Sequence, residues 1–224
     1  MKIYGNPEYE QLFASKRNWR RYPSEEAIRF FIPYKIKTGK QIPLVLDIGC
    51  GGGGLSWFIA KEIGTVHAFD GSPACVNNVL VLAGEFGVAE RIKVINGDIT
   101  MPLNFLEDTY DMMLDHYSIY ANHEEAVVRA YEQYYQILNP QGYFLTCLCG
   151  DKSSGLDTAV HLYGSTYTGF KTGKLAEQGV QTVFNYQYLE NLFNMTGFQT
   201  EYYENIMENR NGIYLEKHIF CLRK

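Results

Sequence analysis

The sequence predicts an α/β protein built on a doubly wound, mostly parallel seven-stranded sheet, and three observations predict it. From Pro43 onward short apolar runs alternate with helical stretches, the rhythm of a parallel sheet covered by helices on both faces. The first of those runs ends in a glycine-rich turn that leads into a helix. The chain closes on two strand-like runs, Gln199 to Asn205 and Tyr214 to Leu222, which suggest an antiparallel terminal hairpin.

The segment 1–43 reads as an N-terminal helical cap on a single domain spanning 44–224. Its best-marked helix starts at Tyr22-Pro23-Ser24, with Ser24 as N-cap, Glu25 and Glu26 in the first turn, and Ile28, Phe31 and Ile32 on one face. The first strand, Leu44 to Ile48, feeds the stretch Gly49 to Gly54 and a helix from Leu55 to Ile63. A second strand, Val66 to Phe69, ends at Asp70, and Ser72-Pro73 caps a helix that finishes near Gly87. The third strand, Ile92 to Asn96, ends at Asp98, and the fourth, Asp111 to Leu114, runs into Asp115-His116-Tyr117. A helix from His123 to Leu138 stops at the turn Asn139-Pro140-Gln141-Gly142, and Tyr143 to Cys149 makes the fifth strand. Residues 150–183 show little periodicity and are longer than an ordinary connection, which suggests a substrate lid. Asn185 then caps a helix closed by Gly197; the sequon Asn194-Met195-Thr196 falls inside it and needs no modification to explain it.

Composition narrows the function. At 224 residues the chain can bury a substantial core around one site. No apolar run is long enough to cross a bilayer and the first ten residues are polar, so a cytoplasmic address and no membrane partner are expected. The five cysteines lack zinc-ligand spacing, which predicts reduced thiols and no metal. Cys147 and Cys149, two apart, are expected on one strand face as small buried hydrophobes. A net charge of −5 lacks the positive field that a polyanion needs, so nucleic acid is a runner-up behind a small-molecule substrate. Monomer and homodimer are both compatible with the sequence.

The stretch Asp47-Ile48-Gly49-Cys50-Gly51-Gly52-Gly53-Gly54 carries the chemistry. Glycines permit backbone angles closed to other residues and let a ligand lie against the main chain, at the strand end where open α/β sheets bind ligands. Gly49, Gly51 and Gly54 also satisfy the dinucleotide pattern, and Asp70 can accept ribose hydroxyls in either case. Asp47 separates the readings: a carboxylate there repels a pyrophosphate but suits a ligand bearing an ammonium and a sulfonium.

Val45-Leu46-Asp47-Ile48-Gly49-Cys50-Gly51-Gly52-Gly53 closely resembles the first motif of class I S-adenosylmethionine-dependent methyltransferases. The similarity extends through Asp70, Asp98, Asp111 to Asp115 and Pro140-Gln141-Gly142-Tyr143-Phe144, roughly the middle half of the chain. The resemblance implies S-adenosyl-L-methionine as cofactor, S-adenosyl-L-homocysteine as product, and the family's seven-stranded sheet with its antiparallel end. It implies that the glycine turn (Gly49, Cys50, Gly51, Gly53) meets the methionine part and that Asp70, with Gly71 and Ser72, holds the ribose. Asp98 and Ile99 would meet the adenine and Asp115 would lie near the methyl group, with Tyr22 of the cap as a further cofactor contact. Asp98 also sits in an Asn-Gly-Asp run that is turn-forming in its own right.

Methyl transfer from a sulfonium rests on positioning, and a hydroxyl or protonated amine acceptor also needs a proton taken. His116 follows the fourth strand directly and is the first candidate base; Asp115, Tyr117, Tyr120 and His123 are others. The family offers no histidine at this position to carry over, and a loop histidine is often only exposed. Eighteen tyrosines suit sugar or aromatic acceptors, and Lys16, Arg17, Arg20 and Arg21 could clamp a phosphate or form a solvated face. The leading expectation is methyl transfer to a small molecule, such as a sugar or a phosphorylated or nucleotide-linked metabolite. The alternatives are an RNA or protein methyltransferase, a non-catalytic S-adenosylmethionine-binding regulator, and a dinucleotide oxidoreductase.

Overall fold

The strand Leu44–Ile48 (β1) is buried on both faces because it runs down the middle of the sheet. The structure, a computed structural model, describes residues 2, 4, 7–15, 19–103 and 109–224. Around β1 lie β2 (Thr65–Asp70), β3 (Ile92–Asn96), β4 (Tyr110–His116), β5 (Leu138–Cys149), β9 (Gln199–Arg210) and β10 (Ile213–Arg223), in the order β3-β2-β1-β4-β5-β10-β9. Strands β1 to β5 are parallel and β10 is antiparallel to both its neighbours, which is the predicted doubly wound, seven-stranded sheet with an antiparallel terminal hairpin.

Period-two alternation sorts the sheet's side chains into two cores. Val45, Met112, Leu114 and Leu145 pack with α2 (Glu25–Thr38), α3 (Gly54–Glu62) and α4 (Pro73–Glu85) through Phe31, Ile59 and Val79. Leu46, Ile48, Met113 and Phe144 pack on the other face with Tyr131 of α5 (Glu124–Ile137) and Phe193 of α6 (Tyr186–Thr196). The caps fall where the sequence puts them: Ser24 Oγ accepts from Ala27 N, Ser72 Oγ from Cys75 N and Asn185 Oδ1 from Tyr188 N, while Gly197 ends α6 in the left-handed conformation.

Four features differ from expectation. A helix, α1 (Pro7–Ala14), precedes the cap helix α2. The Asn139–Gly142 turn is absorbed into an irregular start of β5, where Tyr110 pairs Leu138 and Met112 pairs Tyr143; Gln141 keeps turn character with φ 64°. Residues 150–183 hold a small sheet of β6 (Val160–Tyr163), β7 (Thr166–Thr168) and β8 (Gln181–Thr182). Cys147 joins the α2–α4 core while Cys149, the last residue of β5, joins the other and borders the larger of the cavities described below. All five cysteines are free and buried.

Candidate functional site

The register of the central strands builds the site. Ile48 lies beside Phe69 and Asp115, so Gly49, Asp70 and His116 all leave the sheet at the same edge. Strand order reverses at β1, between β2 and β4, which opens a crevice at this point.

The glycine turn is held rigidly and packed closely. Cys50 N donates to Phe69 O at 3.0 Å, Asn78 Nδ2 to Gly52 O at 2.6 Å and Gly51 N to Asp70 Oδ2 at 2.9 Å. Gly49, Gly51 and Gly53 have φ of 61°, 52° and 81°, in the left-handed region that strains any residue with a Cβ. A Cβ on Gly49 would fall 1.7 Å from Ser118 Oγ, so the chain after β4 passes directly over this backbone. Gly53 packs on Val79 and serves the turn's fit to α4.

Two adjoining cavities open beside the turn and share Tyr9, Phe13, Gly49 and Tyr117. The smaller, about 110 Å³, is bounded by Asp70, Gly71, Ser72, Gly97 and Ile99, and by Tyr4 and Glu10 of the N-terminal segment. Asp70 Oδ1 accepts from Ser72 N at 2.8 Å, and burial raises its carboxyl above the usual range against the pull of the Ser72 and Gly51 amides. The Glu10 carboxylate accepts from Ser72 Oγ, fastening α1 over this end.

The larger cavity, about 590 Å³, meets Asp47, Gly49, Cys50 and Gly51 on one side and Tyr22, Ser24, Glu26, His116, Tyr120 and Lys217 on the other. Asp47 accepts from Ser56 Oγ at 2.6 Å, and burial pushes its carboxyl up to about 7 despite that bond, with Asp70 adding to the rise. An acid held this way gains from a cation. His116 sits 2.9 Å from Ser24 Oγ through Nε2 and 4.0 Å from Glu26. Burial, helped by Arg20 and opposed by Glu26, pushes the imidazole down to about 4, so it is neutral at physiological pH, with its protonated form disfavoured unless a bound group offsets those charges. Although burial works against its charge, Glu26 lies below the ordinary carboxylate range, held by backbone hydrogen bonding, His116 and Lys217. Lys217 reaches Glu26 at 3.5 Å and Glu208 at 2.6 Å. Tyr117 takes φ 61°, uncommon for a residue with a Cβ, and its buried hydroxyl has no partner among the described residues.

The other sequence candidates fall elsewhere. Asp115 is fully enclosed and does not border either cavity; it accepts from Ser118 N, Ile119 N and Thr146 Oγ1. It therefore fastens the loop that presents His116 and Tyr117, and burial raises it to about 7. Asp98 caps its own turn through Thr100 N and Thr100 Oγ1, leaving Gly97 and Ile99 to face the smaller cavity. His123 bonds the exposed Tyr163 hydroxyl, away from both cavities. Asp111 lies at the far end of β4 and pairs with Lys40. Lys16 and Arg17 are outside the described residues, and Arg21 pairs with Glu85 at 2.7 Å on the surface. Sequence reasoning missed Glu10, Glu208, Arg210 and Lys217. Lys217 left a signal, because Glu216-Lys217-His218 puts three polar residues inside an otherwise apolar terminal strand.

The geometry fits the implied cofactor and disfavours a dinucleotide. A pyrophosphate needs the open N-terminus of the helix after the turn, but here that end is covered by main chain: a Cβ on Gly54 would lie 2.4 Å from Arg20 O, and one on Gly52 would lie 3.3 Å from Trp19 Cα. The sites that remain are a buried acid at the turn, a second acid at the end of β2 and an unpartnered tyrosine hydroxyl between them, which suit an ammonium, ribose hydroxyls and a polar ligand group.

Residues 45–142 match the sequence profile of a family described as a methyltransferase domain. A sterol 24-C-methyltransferase of Saccharomyces cerevisiae is 30% identical over 103 residues, covering 45% of this chain and 26% of that protein. The match thus spans about a quarter of the curated relative's length. Among solved structures, the CcbJ methyltransferase from Streptomyces caelestis superposes with a TM-score of 0.69 at 13% identity, covering 97% of this chain and 98% of that one. The 1,6-didemethyltoxoflavin-N1-methyltransferase of Burkholderia thailandensis, solved with bound 1,6-didemethyltoxoflavin and S-adenosylhomocysteine, gives a TM-score of 0.66 at 16% identity, covering 97% of this chain and 86% of that one. At such identities these likenesses speak for the fold.

Proposed function

We propose that this chain, whose residues 45–142 match a methyltransferase-domain family, is a class I S-adenosylmethionine-dependent methyltransferase that moves a methyl group from S-adenosylmethionine to a small-molecule acceptor. The observation that carries the reading is the glycine turn at Gly49 to Gly53, with buried Asp47 on one side and Asp70 on the other, whose Gly49, Cys50, Gly51 and Gly52 border a cavity of about 590 Å³. Asp47 holds the cofactor's ammonium, Asp70 its ribose hydroxyls, and Gly97 and Ile99 border its adenine. When bound, the cofactor supplies an electrophilic methyl group on a sulfonium.

The acceptor occupies the larger cavity, whose wall is shared by the cap (Tyr22, Ser24, Glu26) and the lid segment (Lys174, Leu175, Gln178). Its nucleophilic atom would face the methyl group that the cofactor would supply, and the neutral His116 imidazole would take its proton. Glu26, beside that ring, stabilises the imidazolium formed. The rings of Tyr9, Tyr22, Tyr117 and Tyr120 around the cavity favour a flat or sugar-like acceptor. Buried, unbridged cysteines fit a reducing compartment such as the cytoplasm, and among the described residues no helix is long and apolar enough to cross a membrane.

Equilibrium binding tests the assignment. S-adenosylhomocysteine is expected to bind at micromolar or better affinity while NAD shows no saturable binding; saturable NAD binding with no uptake of S-adenosylhomocysteine would refute it.

A further inference from the structure

The wall of the larger cavity away from Asp47 is unexpectedly positive for a chain of net charge −5. Four cations meet there from four separate segments: Arg20 before α2, Lys174 in the lid segment, Arg210 at the end of β9 and Lys217 in β10. Two are already neutralised. Lys217 is held by Glu26 and Glu208, and Arg210 by Glu208. Arg20 and Lys174 make no ion pair among the described residues, although Lys174 lies near enough to Glu208 to help hold that carboxyl low; both border the cavity, and Arg20 is near enough to His116 to help hold its ring neutral. An acceptor arriving as an ammonium would meet these two charges and the cofactor's sulfonium; an anion would gain from all three.

We propose that the acceptor is an anion, a small molecule whose carboxylate or phosphate group is bound by Arg20 and Lys174 while its nucleophilic atom faces His116. This rests on the methyltransferase reading above. The two cations come from different segments of the chain, the cap and the lid segment, so one anionic group bound by both links those segments at the cavity. Arginine supplies a planar donor fork and lysine a mobile point charge, a pairing that suits either oxyanion. The bound group also offsets the Arg20 charge that His116 feels, so the imidazole becomes more basic when the acceptor is in place.

The test uses the full chain saturated with S-adenosylhomocysteine, with histidine side chains isotopically labelled and the His116 signal assigned from His116→Asn. Inorganic phosphate and acetate are titrated separately at constant ionic strength in chloride. The expected result is a saturable shift of the His116 signal with millimolar affinity for at least one of them, and the stronger of the two identifies the acceptor's group as phosphate or carboxylate. Arg20→Gln and Lys174→Gln should each weaken that response at least about fivefold, whereas Arg29→Gln, whose side chain pairs with Glu204 outside the cavity, should leave it unchanged. S-adenosylhomocysteine binding with no His116 response to either anion overturns the proposal and leaves the methyltransferase reading standing. Failure to bind S-adenosylhomocysteine overturns both. A response equally reduced in Arg29→Gln overturns the proposal in favour of diffuse charge. Tight binding of single-stranded RNA that is lost in Arg20→Gln and Lys174→Gln, without response to the small anions, overturns it in favour of a polyanionic substrate.

Discussion

Gly51→Val is expected to abolish S-adenosylhomocysteine binding, weakening it at least about 100-fold, while the chain stays folded. Gly51 holds φ 52°, which costs a residue with a Cβ about 1–2 kcal/mol. Among the described residues the nearest neighbour of an added Cβ is the end of the Phe13 ring at 3.3 Å, a side chain of the short helix α1 that can yield. The fold should therefore survive with a melting temperature lower by about 2–4 °C per kcal/mol lost. The binding should not, because the valine side chain would stand on the part of the turn that borders the larger cavity. Calorimetry shows the loss and circular dichroism the retained fold; wild-type affinity in this variant would remove the turn from the site.

His116→Ala should lower kcat about 100-fold and leave cofactor affinity unchanged, since the ring borders the acceptor side of the cavity and bonds only Ser24 among the described hydroxyls. The pH dependence gives the sharper signature. Burial and Arg20 push the free imidazole down to about 4 against the pull of Glu26, and Lys217 and the Tyr117 ring face the same ring from β10 and the loop after β4. At saturating S-adenosylmethionine, the wild-type kcat/KM for the acceptor should therefore show no limb near the ordinary histidine pKa of about 6.5 and should fall as pH drops toward 4. An alanine variant with an unchanged rate and pH profile would place proton removal elsewhere.

What the sequence reveals about this protein follows from how local each signal is. The unit β1, glycine turn, α3, β2 and Asp70 is contiguous, and every part carries its own mark: an apolar run buried on both faces, glycines at positive φ, an acid at a strand end. The Ser24, Ser72 and Asn185 caps are equally local and equally legible. α1 was hidden because eight residues carry too little periodicity; it is held by a tertiary contact, Glu10 on Ser72, that no local pattern encodes. The strands β6 to β8 are two to four residues long, too short for alternation to register.

The acceptor side of the site is the least legible part for the same reason. Glu26, His116, Glu208 and Lys217 come from a helix start, a strand end and a terminal hairpin, and only the strand order that seats β10 beside β5 gathers them. Asp115 shows the converse. It resembles a site residue in sequence, yet the register places it inside the sheet, where its oxygens fasten the His116–Tyr120 loop to β4 and β5.

The central claim is that buried Asp47 receives the cofactor's ammonium, and its titration tests this most directly. In the ligand-free chain burial raises the Asp47 carboxyl to about 7, and an arriving ammonium pulls it back down, so binding below about pH 7 must expel a proton. Calorimetric titration of S-adenosylhomocysteine from pH 8 to pH 5.5 should show affinity that is level above neutrality and falls toward tenfold per pH unit below it, with the slope gone in Asp47→Asn. Tight binding that is independent of pH, or a slope that persists in Asp47→Asn, would contradict the account.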